Sequence, residues 1–552
     1  MTEPKNRRVD FPPAVFCLSW TRVGDLFWPL AVTARRRYTR ANARQPQRWL
    51  FPASAHFGDM DQITPPTGQS ALSVHRAGLL AGPALFALAM ILPAPAGMPP
   101  LAWAAAAMAL WMAVWWASEA VPLAATALLA IVLQPLLGIA STQAAAAPFA
   151  HPLIFLFLAG FWLALAMQRW NLHRRIALAI VARAGNRPRR LVGGAMLATA
   201  FLSMWISNTA TAMMMMPIAA SLVTVIHWDS GEFRAGDKGN FATSIMLGIA
   251  YAASIGGMAT LIGSPPNALM ASFMGQSFGV EVSFARWMAV ALPVASCLLP
   301  VCWLVLTRLV YPVGDIAHAA SENALTQARM DLGPVSAPEK RVAVVIALVA
   351  VFWVFGPLMA GFAGLPVLAD AVIALIGAVA LFALPTGLGD GKRLLDWEWA
   401  RRAPFDVLLL VGGGLSLASA IESSGLAAWL AGALGDLAGA PALILVMAVV
   451  AVIVLLTELT SNTATTAAFL PLVAASAVAA GLEPILLAAP VAMAASCAFM
   501  LPVATPPNAI VYASGHVTMA QMIRAGAWMN LAGIACITLL AYLLVPLVFD
   551  PR

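Results

Sequence analysis

Charge is what this 552-residue chain has least of: Asp, Glu, Lys and Arg together make up 10% of it, against about 25% in a soluble globular protein. With a hydrophobic share of 61% and a mean hydropathy of +0.85, that shortage excludes a soluble fold. Cysteine is scarce as well. The five cysteines (Cys17, Cys297, Cys302, Cys497, Cys536) fall mostly in apolar stretches without metal or disulfide spacing, so small buried apolar residues are expected. No His-Glu-x-x-His occurs, and no Gly-x-Ser-x-Gly with a plausible partner, which argues against an enzyme or an organic cofactor. The first 59 residues lack an apolar core followed by a small-residue cleavage site, so no signal peptide is expected.

Long hydrophobic runs are what the chain has instead. A spanning helix needs about 20 apolar residues, and about eleven segments qualify: 78–96, 100–117, 121–140, 152–168, 241–262, 287–310, 341–361, 367–385, 405–421, 485–501 and 525–547. The fold class read from this is an all-α polytopic membrane protein. The pI near 9.5 reflects topology rather than nucleic-acid binding. Arg169, Arg174, Arg175, Arg183, Arg187, Arg189 and Arg190 crowd one loop region, and Lys392, Arg393, Arg401 and Arg402 another; both are expected on the cytoplasmic side. The loops near 141–151, 277–285 and 364–370 carry no Lys or Arg and are expected outside. Counting crossings gives an inner-membrane protein with a cytoplasmic N-terminus and an external C-terminus. Residues 1–77 read as an extension, disordered or cytoplasmic, with translation expected to start at Met60. A first membrane repeat at 78–312, a cytoplasmic linker at 313–340 (Asp315, Glu322, Arg329, Asp331, Glu339, Lys340) and a second repeat at 341–552 follow.

Two further apolar stretches, about 191–227 and 441–480, are each interrupted by the same pentapeptide. The copies are Ser207-Asn208-Thr209-Ala210-Thr211 and Ser461-Asn462-Thr463-Ala464-Thr465, 254 residues apart (462 − 208). Each half then adds a second polar break, Gly263-Ser264-Pro265-Pro266-Asn267 and Ala504-Thr505-Pro506-Pro507-Asn508, 241 apart (508 − 267). Pro148-Phe149 before Gly160 is echoed by Pro404-Phe405 before Gly412-Gly413-Gly414. With five spans per half the second copy enters the membrane from the opposite side, an inverted repeat with its site near the midplane. The arms beside each pentapeptide, about 24 Å or less as helix, are too short to cross and predict two re-entrant hairpins whose tips are shielded from lipid. Ser, Asn and Thr suit helix N-caps, so each returning arm should begin at its motif. Proline favours the first helical position, with Ser264 or Thr505 as cap, and the preceding segment should end there with unpaired carbonyls. Helix starts attract anions, and carbonyls and hydroxyls suit sodium. Neither motif holds a charged residue, so bound cations would supply the positive charge that an anion needs.

At these motifs the chain resembles the divalent anion:sodium symporter family, the INDY-type di- and tricarboxylate carriers. The resemblance covers about residues 78–550 and includes Gly256 to Asn267, Leu501 to Asn508 and Trp115-Trp116-Ala117-Ser118-Glu119-Ala120-Val121-Pro122. It implies one sodium held by Ser203, Ser207, Asn208 and Gly263, and a second by Thr457, Ser461, Asn462 and Ala504. It implies substrate carboxylates bound by Asn208, Thr209, Asn462 and Thr463, with Ser264, Pro265, Thr505 and Pro506 lining the pocket. It also implies a homodimer in the lipid bilayer, working by an elevator-type motion. The expected activity is sodium-driven import of a C4-dicarboxylate such as succinate, malate or fumarate; sulfate, citrate or sodium-independent exchange are the alternatives.

Other polar residues have plainer readings. Glu458, an acid in an apolar stretch, is expected to be functional or to serve as a structural ion pair or cap. Asp406, Glu422, His151 and His516 sit at span edges, Met213 to Met216 read as flexible packing, and Trp103, Trp111, Trp115 and Trp116 as interface anchors or scaffold packing.

Overall fold

The computed structural model describes residues 69–228, 235–314, 326–363, 368–433 and 441–549. The described residues all belong to one compact unit, within Gly68–Arg552. The expectations for residues 1–59 and Met60, for Asp315 and for Glu322 lie outside the described residues.

The described residues are helical throughout, apart from one isolated bridge between Pro385 and Arg393. The first half comprises α1 (Gln69–Ile91), α2 (Pro100–Ser118), α3 (Leu123–Ala127), α4 (Leu129–Leu136), α5 (Thr142–Ala146), α6 (Pro152–Arg169), α7 (Leu172–Arg183), α8 (Pro188–Ser203), α9 (Asn208–Trp228), α10 (Ala235–Met258), α11 (Pro265–Phe278) and α12 (Phe284–Leu304, continued by a π-helical turn over Val305–Val310). The second comprises α13 (Ala337–Ala363), α14 (Asp370–Ala383), α15 (Trp397–Ala400), α16 (Phe405–Ser423), α17 (Leu426–Ala433), α18 (Ala442–Thr457), α19 (Asn462–Ala479), α20 (Pro484–Ala495), α21 (Pro506–Ala513) and α22 (Met519–Phe549). Among the described residues seven helical stretches are long and apolar enough to cross a membrane, and five shorter apolar helices accompany them.

The expected spans 241–262 and 485–501 are broken helices: α10 stops at Met258 and α20 at Ala495, and each resumes at a Pro-Pro pair. The expected external loop near 141–151 is instead folded, as α5 and a 3₁₀ turn over Ala147–Ala150. It packs on α16, because Gly412 leaves room for Phe149 (an added Cβ would lie 2.5 Å from its ring) and Ser416 Oγ donates to Ala145 O at 2.7 Å. The returning arm α9, 21 residues or about 30 Å long, exceeds the expected 24 Å. Cys302 and Cys497 are buried as expected, but Cys297 is exposed; on an apolar helix surface a thiol is simply another weakly polar side chain.

The tryptophans of α2 are packing residues. Trp116 is fully buried, Trp103 Nε1 donates to Ala89 O at 2.7 Å and Trp115 Nε1 to Leu79 O at 3.3 Å. His151 accepts the Leu153 N–H as the cap of α6, while His516 is exposed. On the linker, Ser336 and Glu339 form a capping box at the start of α13: the Ser336 N–H donates to Glu339 Oε2 (2.6 Å) and the Glu339 N–H to Ser336 Oγ (3.4 Å). Arg175 on α7 reaches the same carboxylate (3.0 and 3.3 Å) and also the carbonyls of Leu332, Gly333 and Pro334.

Two packing groups emerge. α8, α9, α10, α12, α18, α20 and α22 pack mainly on one another, whereas α6 packs on α13, α14 and α16. Where the groups meet, Asp370 at the start of α14 accepts the Phe284 N–H at the start of α12 (2.6 Å), and the Phe284 ring lies 4.2 Å from Trp353 and 6.3 Å from Trp205.

Candidate functional site

Both hairpins turn at their motifs. α8 ends at Ser203 and α9 begins at Asn208; α18 ends at Thr457 and α19 begins at Asn462. Ser207 Oγ accepts the Ala210 N–H at 3.4 Å and Ser461 Oγ the Ala464 N–H at 3.2 Å, so each motif serine is the N-cap that local propensity favours. Thr209 and Thr463 occupy the second position of each returning helix, half-buried, as are Asn208 and Asn462; Ser207 is exposed. The tips are therefore neither sealed in the core nor fully solvated.

Behind each asparagine lies a cluster of oxygens. Ser203 Oγ is 2.7 Å from both Asn208 Oδ1 and Ala253 O. Thr457 Oγ1 is 2.9 Å from Asn462 Oδ1 and 2.8 Å from Ala495 O. Each hydroxyl thus lies between an amide oxygen and a backbone carbonyl, and three uncharged oxygens gathered in this way suit a small hard cation, which binds oxygen ligands. Serine and threonine four residues before the motif serine reach this position because one helical turn separates them.

Glycines let the first cluster close. A Cβ on Gly257 would lie 2.1 Å from Asn208 Oδ1, and one on Gly263 would lie 2.5 Å from Gly257 O and 3.0 Å from Ser203 O. Gly263 is thus brought to Ser203, and Gly257 to Asn208. Ala504 is buried, with its N–H on Leu501 O at 3.2 Å.

The Pro-Pro-Asn elements correct two expectations. Pro265 and Pro506 begin α11 and α21, and Thr505 accepts the Asn508 N–H at 3.4 Å, but Ser264 makes no such cap bond. Its Oγ instead lies 3.4 Å from Ser496 Oγ of the other half. Nor are all the carbonyls at the broken ends free. Asn267 Nδ2 donates to Gly257, Met258 and Thr260 O (3.1, 3.3 and 2.7 Å), and Asn508 Nδ2 to Ala498 and Leu501 O (3.0 Å each). A buried carbonyl without a donor is costly, so an asparagine one turn into the next helix ties the break together. These two asparagines were visible as a repeated pair, but their part as fasteners was not.

The halves meet through a continuous path. Asn208 contacts Ser203, Ser203 packs on Gly263, Ser264 touches Ser496, Ala495 binds Thr457 and Thr457 binds Asn462. Around it the elements cross over: α9 packs on α21 and α19 on α11. Each hairpin's returning arm meets the other half's Pro-Pro helix.

Glu458 resolves as a cap. It is 5% exposed, and its carboxylate accepts the N–H groups of Phe499, Met500 and Leu501 (2.7 to 3.1 Å) and Asn530 Nδ2 at 2.8 Å. Four donors on one carboxylate hold the broken segment after α20 in place. The Gly275-Gln276-Ser277-Phe278-Gly279 match to a nucleophile pattern forms the C-terminal end of α11, with Gly279 at φ +64°. It lacks the strand–turn–helix elbow that such a serine needs.

Residues 74–549 match the family model described as the sodium:sulfate symporter transmembrane region. The chain belongs to the sodium:sulfate symporter family. It is 40% identical over 476 residues to the sodium-dependent dicarboxylate transporter SdcS of Staphylococcus aureus strain USA300, covering 85% of this chain and 91% of that protein. The SdcS of strain MSSA476 matches to the same extent. Among solved structures, the Alcanivorax borkumensis YdaH transporter superposes with a TM-score of 0.50 at 15% identity, over 73% of this chain and 87% of that one; this likeness concerns the fold alone. Family membership makes the protein a multi-pass membrane carrier rather than an enzyme.

Proposed function

We propose that the protein is a symporter that uses an inward sodium gradient to import a C4-dicarboxylate such as succinate, malate or fumarate. The observation that carries this reading is the pair of uncharged oxygen clusters, Ser203–Asn208–Ala253 and Thr457–Asn462–Ala495, each directly behind a motif asparagine. In this reading one sodium binds at Ser203, Ser207, Asn208 and Gly263, and the other at Thr457, Ser461, Asn462 and Ala504. The amides and hydroxyls of Asn208, Thr209, Asn462 and Thr463 face the two carboxylates, with Ser264, Pro265, Thr505 and Pro506 as the walls. Because the same asparagines serve cation and anion, filling one site raises affinity at the other, and coupling follows by linkage. The relatives named sodium-dependent dicarboxylate transporters support the substrate class and the coupling ion. The two packing groups suit an elevator-type motion, in which the hairpin group moves against the group built on α6. A homodimer, which the family resemblance implies, completes the proposal, set in the inner membrane with a cytoplasmic N-terminus from the arginine distribution.

Sulfate is the competing substrate, named by the family model itself. Radiolabelled succinate uptake into proteoliposomes tests both readings. Uptake is expected to stop when sodium is replaced by choline, and to be competed by unlabelled malate more strongly than by sulfate or citrate. Unchanged uptake in choline overturns symport. Asn208→Ala and Asn462→Ala should each abolish uptake in a carrier that still elutes as folded protein; near-normal uptake by either removes the site assignment.

A further inference from the structure

Arg169, the last residue of α6, is a largely buried cation with too few acceptors. Its Nη2 meets Asp396 Oδ2 at 2.6 Å, but its Nη1 is buried and has no acceptor among the described residues. The guanidinium carbon lies 5.3 Å from the Trp170 ring and 5.9 Å from the Trp399 ring. Arg402 brings a second guanidinium to the same Trp399 indole, at 4.3 Å. It is exposed and forms no ion pair among the described residues. Two like charges on one ring repel, and Asp396, itself 44% exposed, does not neutralise both. The adjoining charges do not repair the imbalance. Lys392, Arg393 and Arg401 are positive, while Asp390 is occupied by Thr386 and the Lys392 N–H, leaving Glu398 as the remaining acid of this turn.

The seat is held in place, and an apolar wall leads up to it. Trp162 Nε1 donates to Ala400 O at 3.1 Å and Trp170 Nε1 to Leu394 O at 2.7 Å, which pins residues 394–400 onto α6. Asp396 also caps α15, accepting the Trp399 N–H at 3.0 Å. Trp397 stands beside this cluster 64% exposed, its ring 6.1 Å from Trp162 and 6.4 Å from Phe382 of α14. One and two helical turns before Phe382, Val379 and Ile376 are 60% and 58% exposed. A bare tryptophan at the head of an apolar helix face, next to unpaired cations, is what a membrane interface selects. We infer that this corner of the protein binds an anionic phospholipid. Its phosphate sits on Arg402 and beside Arg169, and its acyl chains lie along Trp397, Phe382, Val379 and Ile376. The phosphate supplies the acceptor that Arg402 lacks and the second negative charge that the paired guanidiniums need. A soluble phosphate would satisfy the cations and leave the apolar wall bare, so the occupant is a lipid.

The proposed topology enters only in placing this lipid in the inner leaflet. The test uses the full chain purified in a neutral detergent, where neither sidedness nor the transported anion matters. Native mass spectrometry follows binding of phosphatidylglycerol, of phosphatidylcholine with the same acyl chains, and of glycerol 3-phosphate. Phosphatidylglycerol is expected to fill a saturable site about tenfold more tightly than phosphatidylcholine, the scale set by two cations at a headgroup. Glycerol 3-phosphate should not displace it. Arg402→Gln should weaken phosphatidylglycerol about fivefold, whereas Arg329→Gln, an exposed cation of the linker, should not. Trp397→Ala removes wall and no charge, so it should weaken both lipids alike. Trp397 and Arg402 are both exposed, so the fold tolerates their replacement. Equal binding of the two lipids overturns the inference, as does an Arg402→Gln variant that binds like the parent or loses no more than Arg329→Gln. Displacement by glycerol 3-phosphate also overturns it, because the site would then take any soluble phosphate.

Discussion

The two hairpin tips began as copies and differ in everything except their oxygen donors. Each has a hydroxyl between an asparagine oxygen and a carbonyl, at 2.7 Å in the first and 2.8 to 2.9 Å in the second. Around those donors the halves diverge. The first tip carries Met204 where the second has Glu458 (458 − 254), and Gly257 where the second has Ala498 (498 − 241). The first is closed by glycine and covered by α6 and α13; the second is braced by a buried carboxylate and left bare. The donors keep one geometry while the supports around them differ. A negative charge lies beside the second cluster alone, so the two sites should not bind cations equally.

The largest effect is expected from Glu458. Glu458→Gln leaves three backbone N–H groups with one neutral acceptor, a loss of about 3 kcal/mol for a buried charged partner. Thermal unfolding should drop, and the sodium concentration for half-maximal uptake should rise about tenfold. Met204→Leu, at the equivalent place, should change either by less than about 1 kcal/mol. Equal responses from the two would erase the electrostatic distinction between the tips.

Gly257→Ala comes next. Its Cβ would sit 2.1 Å from Asn208 Oδ1, and the asparagine tip yields more readily than backbone, so fold stability should change little. Sodium-driven uptake should fall about tenfold or more, the range of an overpacking penalty, while Ala498→Gly costs at most about 1 kcal/mol. Uptake by Gly257→Ala at the parental level would show that close approach is not needed at the first tip.

The smallest effect concerns the junction between the halves. Burial raises the Glu339 carboxyl's proton affinity, but hydrogen bonds from Arg175 and Ser336 outweigh it and hold the group below the usual carboxylate range. A depressed folded value stabilises the fold above the unfolded carboxylate pKa, about 4.3, and that contribution is lost as pH falls through the folded value. Unfolding midpoints measured from pH 6 down to pH 3 should decline less steeply in Glu339→Gln than in the parent. Parallel profiles would remove this ion pair from the account.

Much of this was legible in the residues. Low charge and long apolar runs require helices in a membrane, because no other open structure satisfies its backbone in lipid. The repeated Ser-Asn-Thr and Pro-Pro-Asn elements marked the helix starts, since capping and proline placement are local effects encoded within a few residues. The Ser336 to Glu339 capping box is equally encoded in its spacing. What the chain could not announce was Ser264 turning to Ser496, Asn267 and Asn508 closing the breaks, Glu458 gathering three amides, or α5 folding where a loop was expected. Those contacts join residues 7 to 271 positions apart.

By itself, then, the sequence determined a duplicated, helical membrane carrier with two polar turns, because hydrophobic patterning, capping and repetition act at short range or show as self-similarity. Only the tertiary structure decided which oxygens are gathered around each asparagine, which carbonyls are already satisfied, and which tip is covered. Those outcomes depend on how close distant segments approach, and glycine, asparagine and a buried acid set that distance only once the helices are packed.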